Sequence, residues 1–195
     1  MSYQLRVVAL DPNDLSAVDS QSAEVLASIQ AGQAREIQSH AEWFADEIGQ
    51  GHPSLAVAME HLVYGTVPAD APGYVYGYAL AAIAGHLGRR LHGNNFSGIR
   101  YRWLDRMDQV LVGLGAPDRF RVTGLIEGGV PVSVPRIDDF PALGWTSPEV
   151  IDEARAWVSK ADFSAQNFDE SRSLHDLKRW LDETPPGRAW LGVYS

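Results

Sequence analysis

The sequence contains no cysteine, which excludes thiolate nucleophiles, disulfide staples and cysteine-ligated zinc. It also lacks any apolar run near the roughly 18 residues that a membrane-spanning helix needs. The opening Met1-Ser2-Tyr3-Gln4-Leu5-Arg6 is followed by only four apolar residues before Asp11, too few for a signal-peptide core, so a cytoplasmic location is expected. Catalytic signatures are missing in the same way. There is no Gly-x-x-x-x-Gly-Lys phosphate loop, and Gly113-Leu114-Gly115 runs into Ala116-Pro117, placing proline where a dinucleotide-binding helix would start. Ser97, in Asn95-Phe96-Ser97-Gly98-Ile99, lacks the flanking glycines of a hydrolase elbow. The histidines, at 40, 52, 61, 86, 92 and 175, show no metal-binding i, i+4 pair, so solvent-facing or capping roles are expected for them. No catalytic residue, metal ligand or cofactor is assigned.

What the chain does hold is an asymmetry of charge. Its formal net charge is −9 and its pI about 5.0, which argues against nucleic acid as a partner, because such binding depends on Lys and Arg meeting phosphates. Between Gly85 and Met107, however, Arg89, Arg90, Arg100, Arg102 and Arg106 face a single acid, Asp105. Arginine forks match carboxylate and phosphate in bidentate geometry, so an antiparallel helix pair carrying these residues would form an anion-binding patch. The competing reading is that Arg89 and Arg90 complement a helix C-terminus while Arg102 and Arg106 pair with Asp105 and Asp108 on a solvated helix. Nearby, Tyr74 and Tyr78 share a helix face and would form an amphipathic rim or interface anchor, the competing reading being core packing with their hydroxyls reaching solvent. Adjacent Asp138 and Asp139 point opposite ways on an extended segment and read as a solvated turn.

Hydrophobic patterning predicts an α+β fold. Tyr3 to Leu10 reads as a buried strand, and Pro12 as the first residue of a short helix. Helices are predicted for Ser22 to Ile29, Gln33 to Ile48 and the segment opened by Ser54. Another, through Tyr76, Leu80, Ile83 and Leu87, is small-residue rich and would suit a close helix neighbour. A further helix carries Leu104, Met107, Leu111 and Leu114. Arg119 to Ile126 and Val130 to Val134, flanking Glu127-Gly128-Gly129, read as a β-hairpin. Thr146-Ser147-Pro148-Glu149 has capping-box spacing before a helix, a last helix spans about Asp169 to Asp182, and Arg188 to Tyr194 reads as a terminal strand. The expectation is a single domain over residues 1–195. Its small, mostly antiparallel sheet would hold both chain ends and a central hairpin, covered by helices.

Several stretches carry a resemblance: Met1-Ser2-Tyr3, His52-Pro53-Ser54-Leu55, Tyr76-Gly77-Tyr78-Ala79-Leu80, Trp103-Leu104-Asp105, Asp138-Asp139-Phe140-Pro141 and Leu191-Gly192-Val193-Tyr194. Together they resemble a family of uncharacterised actinobacterial proteins, a domain-of-unknown-function family. The first and last strands are fainter in their similarity to YfbM-like bacterial α+β proteins. The resemblance implies a single cytoplasmic domain and no particular chemistry. Several families of this general kind are suspected partners or antidotes of secreted toxins, which is analogy alone.

These readings converge on a non-enzymatic binding protein. Its expected ligand-binding residues are Arg89, Arg90, Arg100, Arg102, His86, His92, Tyr74 and Tyr78, and its expected partner is an acidic protein surface or a small anion, with neither nucleic acid nor membrane. The alternative is a small hydrolase or transferase for an anionic substrate, with His52, His61 or His86 as general base near Arg89 or Arg100. Oligomeric state is not encoded in any of these patterns.

Overall fold

The chain starts as a strand because Val7, Val8, Ala9 and Leu10 are a continuous apolar run that a sheet can bury on both faces. In the computed structural model, which describes residues 3–20 and 22–195, this strand is β1 (Tyr3–Leu10). Met1 and Ser2 of the opening stretch lie outside the described residues. Pro12 begins α1 (Pro12–Ser16), and a 3₁₀ turn over Val18–Ser20 follows. Then come α2 (Ala23–Gly32), α3 (Ala34–Trp43), α4 (Ala45–Gly49), α5 (Leu55–Val63) and α6 (Gly73–Leu87). β2 (Arg89–Leu91), β3 (Ser97–Ile99), α7 (Tyr101–Gly113) and α8 (Gly124–Glu127) lead to β4 (Ala142–Thr146), α9 (Pro148–Val158), α10 (Phe168–Glu183) and β5 (Ala189–Tyr194). The class is α+β, and strands near both chain ends share one sheet. Among the described residues, no helix is long and apolar enough to cross a membrane.

Two units emerge from the packing. The first comprises the chain up to Pro12, Arg90–Val130 and Leu143–Ser195. Its sheet runs β2-β1-β5-β4, with β3 also on β1. β1 and β5 are antiparallel from Leu5 opposite Tyr194 to Leu10 opposite Ala189. Every residue of β5 is buried; α8 and α9 pack on it, and α10 reaches it through Trp180. Trp190 and Trp180 meet edge to face at 6.2 Å, and Phe96 lies 4.9 Å from Trp180. The indoles are satisfied as well as buried: Trp190 Nε1 donates to Thr184 Oγ1 at 2.7 Å and Trp180 Nε1 to the His92 carbonyl at 3.0 Å.

The expected hairpin over Arg119 to Val134 is not formed, and its glycines end a helix instead. The Gly128 N–H donates to the Gly124 carbonyl at 3.0 Å, and Gly129 takes φ +67, the left-handed conformation common after a helix. The backbone of α8 lies directly on the sheet at Gly192, where a Cβ would come within 2.0 Å of the Leu125 carbonyl oxygen. Tertiary contact with a glycine-cleared surface overrides the local hairpin signal. The capping box also moves. Ser147, not Thr146, caps α9, with no side-chain cap bond. The complete box is at Asn167 and Glu170 on α10, where each side chain bonds the other's backbone N–H.

The second unit, Asn13–Arg89 with Pro131–Ala142, is mostly helical. α6 is its centre, with Val75, Tyr76, Ala79, Leu80, Ile83 and Ala84 fully buried. α5 packs closely along α6, and α2 also touches it, as its small residues lead one to expect; at Gly73 and Gly77 the close neighbour is instead the segment around residues 136–141. A Cβ at Gly73 would fall 1.9 Å from the Arg136 carbonyl oxygen, and one at Gly77 would meet Ile137 and Pro141. The single helix expected from Gln33 to Ile48 is broken at Phe44, which links α3 and α4.

Candidate functional site

Gly98, at φ +72, turns β3 toward α7. Arg100 then occupies the N-cap position of α7 in an extended conformation, φ −106 and ψ 157, with no side-chain cap bond and no acid in the first helical turn. The helix itself therefore supplies no carboxylate to the positive end of its dipole. Leu104, Met107, Val110 and Leu111 bury one face of α7, which puts Arg102, Asp105 and Arg106 on its exposed side. Where β3 meets α7, a shallow groove of about 430 Å³ is lined by Gly98, Ile99, Arg100, Arg102, Trp103 and Arg106.

The arginines around this groove differ in how they are satisfied. Arg106 is committed. Its Nε and Nη2 lie 2.9 and 2.7 Å from Glu170 Oε1, and the Glu170 side chain is only 4% exposed. Asp108, the other expected partner, turns away. Its carboxylate accepts the Val122 N–H at 2.5 Å and the Thr123 hydroxyl at 2.5 Å, holding the turn into α8. The expected pairs of Arg102 and Arg106 with Asp105 and Asp108 are thus replaced. Among the described residues, the guanidinium groups of Arg90, Arg100 and Arg102 make no ion pair or hydrogen bond, and all three residues are exposed. Trp103 adds a donor: its Nε1 is buried yet has no hydrogen-bond partner. Beside it, Tyr101 donates its hydroxyl to the Glu127 carboxylate, an interaction that pushes the phenol up to about 12.

Of the eight residues expected to bind ligand, only Arg100 and Arg102 line the groove. Arg89 and Arg90 sit on β2, directly after the C-cap Gly88 of α6, so the basic helix pair is instead a strand and a helix start. The exposed His92 contributes its carbonyl, which accepts from Arg179 at 2.5 Å and from Trp180, fastening the β2–β3 connection to α10. Asn95 strengthens that fastening with two bonds to Asp176 Oδ2, from its backbone at 2.9 Å and its side chain at 2.7 Å.

The remaining residues belong to the helical unit. His86 Nε2 lies 3.3 Å from Ser28 Oγ, and its ring fits because Gly32 has no Cβ. Tyr74 Oη lies 3.1 Å from His52 Nδ1, and His61 Nδ1 pairs with Tyr76 Oη at 2.7 Å. Tyr78 is edge-on to His40, their ring centres 5.5 Å apart, and Phe44 is 4.3 Å from His40. His40 corrects the expectation of solvent-facing or capping histidines. It is 4% exposed, with neither ring nitrogen partnered. Burial pushes its pKa down, against the opposite pull of Glu36 and Glu47. Its i, i+4 spacing to Phe44 within the helix predicted from Gln33 to Ile48 was the available sequence signal. Burial, and secondarily Glu47, raises the Tyr74 phenol.

Among the described residues, no group of three or more histidines and acids is placed to hold a metal ion. No curated protein and no solved structure matches the chain. A family model does, that of the family described as "Domain of unknown function (DUF7691)", over residues 1–188. With nearly its whole length matched, the chain belongs to the DUF7691 family.

Proposed function

We propose that this is a binding protein of the bacterial cytoplasm that engages an acidic protein surface through the groove at the start of α7. The observation that carries this reading is the exposed Arg100 and Arg102 pair, without protein counter-charges among the described residues, beside the unpartnered Trp103 indole N–H. Guanidinium forks and an indole N–H are donors only, so their complement is an acceptor such as a carboxylate. The groove is shallow and Arg100 and Arg102 are exposed on it, which suits a partner that brings its own surface. No histidine lines it, which weighs against the alternative of a hydrolase or transferase with a His general base beside these arginines. A toxin antidote is one form such a binder takes, by analogy with other families.

A fluorescently labelled hexaglutamate peptide provides the test. The protein is expected to bind it in a salt-sensitive manner, and Arg100→Ala with Arg102→Ala is expected to weaken binding at least about tenfold, since bonds to charged groups contribute roughly 1.5–3 kcal/mol. Equal binding by the double variant would overturn the proposal. Competition by inorganic phosphate at low concentration would redirect it to a small anion.

A further inference from the structure

The helical unit has a cleft of its own, about 480 Å³ in volume, within the range of small-molecule sites. One wall is the end of α5, where Leu62 precedes Gly65 and the chain turns into Val67 and Pro68. The 3₁₀ turn supplies Val18 and Asp19, and the segment Pro131 to Pro135 closes the other side. Valine, leucine and proline dominate this lining. It contains no aromatic ring for stacking and no lysine, arginine or histidine for an anion.

Three independent features give the cleft a negative bias. Asp19 is its only charged residue, and among the described residues it has no ion-pair partner. The C-terminal end of α5, where the helix dipole is negative, opens onto it through Leu62 and Gly65. The Pro131 to Pro135 segment makes no backbone hydrogen bond to the described protein. With prolines at both ends, it has more carbonyl acceptors than N–H donors. A cleft whose aliphatic side chains are interleaved with exposed backbone acceptors and one carboxylate suits a ligand with an aliphatic body and a head that only donates hydrogen bonds.

We infer that this cleft binds a small aliphatic ammonium compound, its ammonium toward Asp19 and its alkyl body against the valines and prolines. This site is separate from the arginine groove and opposite to it in charge. Butylammonium titrated into ¹⁵N-labelled protein tests the inference, with 1-butanol and butyrate as controls. Butylammonium is expected to shift the amides of Val132, Ser133 and Val134, to bind about threefold to tenfold more weakly to Asp19→Asn, and to lose those shifts in Ser133→Trp, which fills the cleft. Both substitutions are at exposed residues, and unchanged circular dichroism will show that the variants are folded. Equal affinity for Asp19→Asn, equal binding of 1-butanol, or shifts absent from Val132 to Val134 would overturn the assignment.

Discussion

Charge is decided residue by residue here, and His40 shows how. Its imidazole is enclosed by Phe44 and Tyr78 with no hydrogen-bond partner, so its neutral form is favoured and its pKa falls below the usual 6.5. The unfolded chain then binds a proton more readily than the folded one. His40 contributes stability above the unfolded pKa, and that contribution is lost as pH falls from about 6.5 through the lower folded value. Urea unfolding at about pH 7.5 and about pH 5.5 should show a smaller loss of stability on acidification for His40→Leu than for the parent. An unchanged loss would show that His40 does not titrate as its burial requires. A second prediction concerns Glu170, almost buried and bonded to Arg106. Removing the arginine leaves that carboxylate without its cation, so Arg106→Ala should cost about 1–3 kcal/mol in chemical denaturation. Arg102→Ala, with no ion pair among the described residues, should cost less than about 0.5 kcal/mol. Composition exposed the excess of arginine but could not distinguish these two. The decisive partner, Glu170, is 64 residues away from Arg106, and no local spacing encodes it.

At the scale of elements, patterns within one segment were readable and patterns depending on a neighbour were not. β1 forms over the stretch its apolar run predicts, and the apolar stripes of α5, α6, α7 and α10 become their buried faces. The misreadings share one cause. A Gly-Gly pair serves a hairpin or a helix end equally well, and only the surface offered by Gly192 on β5 decides for α8. Gly192→Ala places a methyl group where the Leu125 carbonyl sits. It should lower stability by about 1–3 kcal/mol or more in thermal melts, and a neutral effect would mean that α8 is not seated on β5 as described. At α10, Asn167→Ala removes the capping box and should cost about 1 kcal/mol. Thr146→Ala on β4, whose hydroxyl was expected to cap α9, should leave that helix's cap unchanged. Helical content from circular dichroism, measured alongside the melts, compares the two.

For the whole molecule, the order of segments matters more than any one of them. The sheet-bearing unit is assembled from three stretches of chain and the helical unit from two, so neither is a continuous piece of sequence. We propose on that basis that residues 1–195 fold as one domain, with a single cooperative urea transition reported identically by tryptophan fluorescence and far-ultraviolet circular dichroism. Two resolved transitions would refute it. The sequence located the basic stretch and two of the residues now placed in its groove, while β2 and β3 were hidden because three-residue strands leave almost no pattern. If, as we propose, the groove at the start of α7 receives an acidic group, the buried, unpartnered Trp103 indole N–H is its built-in reporter. Hexaglutamate titrated into ¹⁵N-labelled protein, with the Trp103 signal identified through Trp103→Phe, should move that indole resonance most among the six tryptophans. A stationary Trp103 signal with shifts at the other indoles would contradict the claim.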